Sequence, residues 1–159
     1  MAAPATAESL RALLDDVLDP EIPVLTIADL GILRSVAIDP ERGVVVTITP
    51  TYSGCPAMDL IRRQIESILE GAGCDRFEVR TVFTPAWTTD WMTEEAKDKL
   101  ASFGIAPPRP TALPEHGPVL CPRCSASSTR TVSQFGSTAC KALMVCDQCG
   151  EPFDYFKEI

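Results

Sequence analysis

The chain has 159 residues, 45% hydrophobic and 23% charged, the composition of a folded protein rather than a disordered one, with room for one ordinary domain and a small appendage. Its formal net charge is −8; residues 119–159 hold four of the 14 Lys/Arg and four of the 22 Asp/Glu, leaving 10 against 18 in the first 118, so no part offers the basic stripe that nucleic-acid binding needs. No stretch approaches the roughly 18 apolar residues of a membrane span, and MAAPATAESL has neither the charged nor the apolar region of a secretory leader, so a cytoplasmic protein with no membrane partner is expected.

In ESLRALLDDVL, Leu10, Leu13, Leu14 and Val17 fall at i, i+3, i+4 and i+7, the spacing of a helix with one buried face. Asp19-Pro20 ends it. After the loop DPEIPVLTIADLGI come two β-rich runs, LRSVAI and VVVTIT, joined through Asp39-Pro40-Glu41-Arg42-Gly43, which reads as an antiparallel hairpin. The period then changes. Met58, Ile61, Ile65, Ile68 and Leu69 form a helical stripe, with Gly71 and Gly73 as its stop. FEVRTVF is a third strand, and MTEEAKDKLASFG a third helix, with Thr93 as N-cap, Glu94 and Glu95 in the first turn and Gly104 at the end. The expectation is an α+β fold with helices packed on a mixed three- or four-stranded sheet over residues 1–106. Trp87 and Trp91 are expected to pack in its core.

Five prolines between Ile105 and Pro118 exclude helix and interior strand, so 107–118 reads as a stiff linker. It carries His116, the chain's one histidine, which is expected to be solvated rather than a ligand or base. Residues 119–159 are 41 in number, near the size at which an apolar core needs a staple. Cys121-x-x-Cys124 and Cys146-x-x-Cys149 supply one: two such turns deliver four thiolates to one tetrahedral ion. A structural zinc in a zinc-ribbon-like domain is the expected reading. Gly150 suits a positive φ after the second pair, and Ser125 after the first is less telling. Iron, as a single ion or a cluster, is the rival. A dithiol redox pair is disfavoured because neither motif opens a helical pattern. Cys140 is a small buried hydrophobe or, alternatively, a spare ligand or exchange thiol.

In SGCP, Pro56 stands at the first position of the second helix and Cys55 at its N-cap. The helix dipole there favours thiolate, which makes Cys55 a candidate transient metal ligand or nucleophile beside its plainer role as a small turn residue. Asp19, Glu21 and Asp29 share one loop and form a candidate functional set, although each also suits a turn or cap. No nucleotide-binding, nucleophile-elbow or His-Glu-x-x-His motif occurs, and no catalytic residue is assigned.

DPEIPVLTIADLGIL, the SGCP helix start and TPAW resemble the MIP18-like (DUF59) domain of iron-sulfur assembly factors over about residues 8–107. The tail, CPRC with FGSTACKALMVCDQCGEPFDYFK, resembles the signature of the D subunits of bacterial phenylacetyl-CoA epoxidase systems. Met144 and Val145 depart from it, standing where more polar or aromatic residues are expected. The resemblance implies a non-catalytic accessory factor in aerobic phenylacetate breakdown that assists assembly of an iron or iron-sulfur centre. Its partners would then be oxygenase or reductase subunits or iron-sulfur assembly proteins, and a homodimer is compatible with it. It places the family's Cys-Pro cysteine on Cys55, the acidic loop on Asp19, Glu21 and Asp29, and the tail ligands on Cys121, Cys124, Cys146 and Cys149; the hypothesis built on it is that Cys55, alone or with Cys140 or a partner's thiol, holds iron or a cluster transiently. The competing class is a structural subunit or protein-binding module of the oxygenase complex.

Overall fold

The structure is a computed structural model that describes residues 5–112 and 117–159; His116 and Pro114 lie outside them. The chain divides into two compact units, one ending at Trp87 and one running Thr88–Ile159.

In the first unit, α1 (Ala7–Leu14) starts at a reciprocal cap: Thr6 Oγ1 accepts from Ser9 N at 3.1 Å, and Ser9 Oγ accepts from Thr6 N at 3.0 Å. Leu10 and Leu14 are buried, but Leu13 is 50% exposed. The helix also stops short of Val17, which is buried in an extended segment where Ile27 N donates to Val17 O at 2.8 Å. The apolar spacing is therefore helical only as far as Leu14.

The hairpin forms as expected, with β1 (Leu33–Asp39) antiparallel to β2 (Gly43–Ile48). Asp39 Oδ1 accepts from Glu41 N and Arg42 N, both at 2.9 Å, and fixes the turn. Gly43 is required twice over: its φ is +79°, and an added Cβ would lie 2.1 Å from the Arg76 carbonyl oxygen. From β2 the chain crosses through α2 (Ala57–Gly71) to β3 (Phe77–Thr81), parallel to β2, giving a three-stranded mixed sheet of order β1-β2-β3. Ile61, Ile65 and Leu69 of α2 have no exposed surface, each burial contributing about 1.5–3 kcal/mol; Met58 and Ile68 sit half-buried at the edge of the stripe. Arg62 fastens α2 to β3, donating to Val79 O at 2.7 Å and Thr81 Oγ1 at 2.8 Å. Trp87 is in the core as expected, its indole N–H donating to Leu30 O at 2.7 Å, whereas Trp91 is half-exposed.

The second unit begins with a 3₁₀ turn, Thr89–Trp91, and α3 (Glu94–Phe103), capped by Thr93 Oγ1 accepting from Ala96 N at 3.0 Å and closed by Gly104 at φ 90°. Four strands follow: β4 (Ile105–Ala106), β5 (Thr129–Ser133), β6 (Lys141–Cys146) and β7 (Pro152–Phe156), in the order β4-β7-β6-β5. β5, β6 and β7 are antiparallel neighbours, while β4 runs parallel to β7. This pairing draws Ile105 and Ala106 into the ribbon sheet, so α3 and β4 group with the tail rather than with the expected first domain ending at residue 106. Met144 is buried with Ala106, Ala142, Phe153 and Tyr155 in the ribbon core, and Val145 alternates outward from it. That is why apolar residues precede the third cysteine.

Candidate functional site

The two Cys-x-x-Cys turns have the same backbone construction. Ser125 N donates to Cys121 O and Gly150 N to Cys146 O, both at 2.9 Å; Cys121 N donates to Ala126 O at 2.9 Å and Cys146 N to Glu151 O at 3.0 Å. Each closes through a residue with positive φ, Ser125 at 63° and Gly150 at 75°. Ser125 is therefore the structural equal of Gly150, a match that two-residue spacing implies and residue type hides.

The turns face one another. Cys121 Sγ lies 3.8 Å from Cys149 Sγ and Cys124 Sγ 3.6 Å from Cys146 Sγ, and all four sulfurs lie within 4.8 Å of each other. A tetrahedral tetrathiolate with metal–sulfur bonds of about 2.3 Å has edges of about 3.8 Å, so the spacing suits one ion. None of the four is in a disulfide. Acidity points the same way. Backbone N–H groups of Cys149 and Gln148 bring the Cys146 thiol down to about 7, whereas at Cys124 burial and the neighbouring sulfurs overcome the Ala126 N–H and push the thiol up to about 12. Four such sulfurs can all ionise only around a cation. The group fits a structural metal.

Cys140 is not a member of this group. It is 5% exposed at the start of β6, with Thr138 Oγ1 at 3.0 Å from its sulfur and its carbonyl accepting from Lys157 N at 3.0 Å.

In the first unit the acidic loop is built into the fold. Asp19, 6% exposed, accepts from Glu21 N and Ile22 N, both at 2.8 Å; Asp29 accepts from Thr26 N at 3.0 Å while Thr26 Oγ1 accepts from Asp29 N at 3.0 Å. These bonds hold a segment whose Ile22, Leu25, Ile27 and Leu30 are buried. Glu21 differs from its two neighbours in that its negative charge acts on Cys55.

Cys55 stands one residue outside α2, whose N-cap is Pro56 rather than Cys55 and makes no side-chain cap bond. The thiol is also not acidified as the helix terminus suggested. Burial pushes it up, and the negative charge of Glu21 adds to this; the Ala57 backbone N–H and the hydroxyls of Thr51 and Tyr52 favour thiolate but do not prevail. At neutral pH it is a protonated thiol. Among the described residues, the four tail cysteines are the one group of three or more convergent donors. The effect of Glu21 on Cys55 depends on which loops meet and was invisible in the sequence, whereas Thr51 and Tyr52 belong to the turn of Cys55 itself, whose N donates to Tyr52 O at 3.3 Å.

Among the described residues no helix is long and apolar enough to cross a membrane. Two family models match the chain: the PaaD zinc beta ribbon domain over residues 106–157, and the iron-sulfur cluster assembly protein family over residues 7–80. The chain is 49% identical over 157 residues to the D subunit of the 1,2-phenylacetyl-CoA epoxidase of Escherichia coli (strain K12), covering 98% of this chain and 94% of that protein. It is 37% identical over 92 residues to an Fe-S protein maturation auxiliary factor of Porphyromonas gingivalis, covering 57% of this chain and 87% of the relative. A crystal structure of a DUF59 domain from Bacillus anthracis is similar with a TM-score of 0.54 and 31% identity, covering 59% of this chain and 90% of that one.

Proposed function

Because the chain belongs to the family of 1,2-phenylacetyl-CoA epoxidase D subunits, we propose that it is an accessory maturation factor of such an epoxidase system in aerobic phenylacetate catabolism. It assists assembly of an iron or iron-sulfur centre in an oxygenase or reductase subunit and is not catalytic by itself. The observation that carries this reading is the way the likeness divides. The first part is shared with free-standing Fe-S maturation factors, and the ribbon with the epoxidase subunit family.

In this reading Cys121, Cys124, Cys146 and Cys149 hold a structural zinc, whose closed tetrahedral shell leaves no position for substrate. The metal supplies folding energy to a ribbon with few buried side chains. Cys55 and Glu21 form half of a transient iron site that a client or donor protein completes, Asp19 and Asp29 hold the loop that presents Glu21, and Cys140 serves packing. A thiol that is protonated until a cation arrives suits cargo that must be released again. The protein works in the cytoplasm, where its thiols stay reduced.

The test is Cys55→Ser, assayed by iron content of the epoxidase and its reductase after co-expression. Loss of client iron with unchanged zinc content and fold supports the reading; full client iron contradicts it. The alternative role, a structural subunit of the oxygenase complex, is separated by stoichiometry: a maturation factor is substoichiometric in the purified complex, a subunit is not.

A further inference from the structure

The four-sulfur group is open on one side. In each turn the first cysteine is buried, Cys121 at 1% and Cys146 at 0% exposure, while the second, Cys124 or Cys149, is exposed. The contacts across the gap join unlike members: exposed Cys149 lies 3.8 Å from buried Cys121, and exposed Cys124 lies 3.6 Å from buried Cys146. Each solvent-facing sulfur therefore has a sheltered one behind it on the opposite turn. An accessible thiolate backed by a second thiol is the arrangement that oxidants convert to a disulfide.

Main-chain bonds hold the turns face to face without help from the sulfurs. Cys146 pairs with Thr129 across β5 and β6, and Asp147 N donates to Ser128 O at 2.9 Å. Ion pairs join the same arms, Arg130 Nε to Asp147 Oδ1 at 3.0 Å and Arg123 Nη1 to Glu151 Oε2 at 2.8 Å, but both are exposed and add little. Two thiols outside the group are less ready to react. Cys140 is 5% exposed and apart from the four; Cys55 is protonated at neutral pH, and oxidants act on thiolate.

We propose that the ribbon is a reversible peroxide switch, in which oxidation joins Cys121 to Cys149 and Cys124 to Cys146 and releases zinc while the ribbon sheet stays folded. The exposed thiolate of a pair takes one oxygen from the peroxide: an S–O bond forms, the O–O bond breaks and hydroxide leaves. The facing thiolate then attacks that sulfur, so the S–S bond forms, the S–O bond breaks and a second hydroxide leaves. Two electrons pass from each pair to one peroxide, and both hydroxides are protonated to water. Thiolate, not cystine, is the metal ligand, so both pairs stop holding the ion. In a reducing compartment the oxidised state lasts only while the oxidant does. The switch rests on the reading of the tail as a zinc site and is independent of the maturation role.

The test treats the full chain as purified with hydrogen peroxide, follows zinc with a chromophoric chelator and maps the cysteines by mass spectrometry. Trypsin cuts after Arg123 and an aspartate-directed protease before Asp147, which puts the four cysteines on separate peptides. Zinc release in step with disulfides between Cys121 and Cys149 and between Cys124 and Cys146 is expected, with the far-UV circular dichroism unchanged and Cys55 oxidised at least about tenfold more slowly. Dithiothreitol with added zinc then restores the full zinc content. Disulfides within the turns, from Cys121 to Cys124 or from Cys146 to Cys149, overturn the proposal. So do release with sulfinic acids alone, loss of the sheet signal, or zinc retained after Cys55 has been oxidised. A chain that holds no zinc before treatment removes the metal reading and the switch with it, whereas zinc that is present and resists peroxide removes the switch alone.

Discussion

The two metal-binding turns carry different residues in the same strained position, and exchanging their character gives opposite signs. Ser125 has φ 63° and Gly150 φ 75°. A Cβ built on Gly150 meets no atom within 4 Å, so Gly150→Ala changes conformational energy alone. The left-handed region costs an L-residue roughly 1–2 kcal/mol. Alanine also restricts the unfolded chain, which offsets about 0.4–1 kcal/mol of that. The net loss is about 0.5–1.5 kcal/mol, and because folding and metal binding are one equilibrium in such ribbons it appears as a metal affinity weakened about two- to tenfold. Ser125→Gly removes the same strain from the other turn and strengthens binding by a similar factor. Zinc competition against a chromophoric chelator at fixed pH measures both. Gly150→Ala binding as tightly as the parent, or the two variants moving in the same direction, would refute the claim that backbone conformation shapes both turns.

At Gly43 the same substitution meets a wall. With an added Cβ 2.1 Å from Arg76 O, the 3.0 Å bond from Val44 N to that oxygen is displaced; Gly43→Ala then costs about 2–4 kcal/mol and lowers Tm by at least about 8 °C by calorimetry, a shift under about 3 °C being contradictory. Cys55 gives a pH dependence. Its folded pKa lies above the ordinary 9.0, so the folded state keeps the proton longer, the stability of the first unit falls as pH rises through and above 9, and Cys55→Ser removes that part of the slope in urea titrations at several pH values. The same cause makes iodoacetamide alkylation of Cys55 at pH 8 slower than that of a free thiol, and Glu21→Gln speeds it; mass spectrometry reads both rates. Cys140→Ala leaves the zinc content per chain unchanged by elemental analysis, since its sulfur packs by Thr138 and not in the metal group.

What could be read from the sequence was local. Thr93, Glu94, Glu95 and Gly104 define α3 through capping rules that involve only near neighbours. Ile61, Ile65 and Leu69 declare α2 by period. The cysteine pairs announce a four-sulfur site because two-residue spacing leaves a turn little choice. Three readings failed for one reason, that they depended on distant groups. Leu13 satisfies the helical spacing, yet it is left 50% exposed. The pairing of Ile105 and Ala106 with Asp154 and Tyr155 spans almost fifty residues, so the β4 strand looked like the end of the first domain. The helix terminus before Ala57 predicted an acidic Cys55, but burial and a carboxylate 34 positions upstream in the chain reverse the balance. Local rules name the donor; the charges that set its state come from the fold.

The four-sulfur metal site is open to a direct check by X-ray absorption at the zinc edge of the freshly purified protein. One zinc per chain with four sulfur scatterers at about 2.3 Å is expected, with a spectrum unchanged in Cys55→Ser and Cys140→Ser. Oxygen or nitrogen in the shell, fewer than four sulfurs, or iron in place of zinc would contradict it.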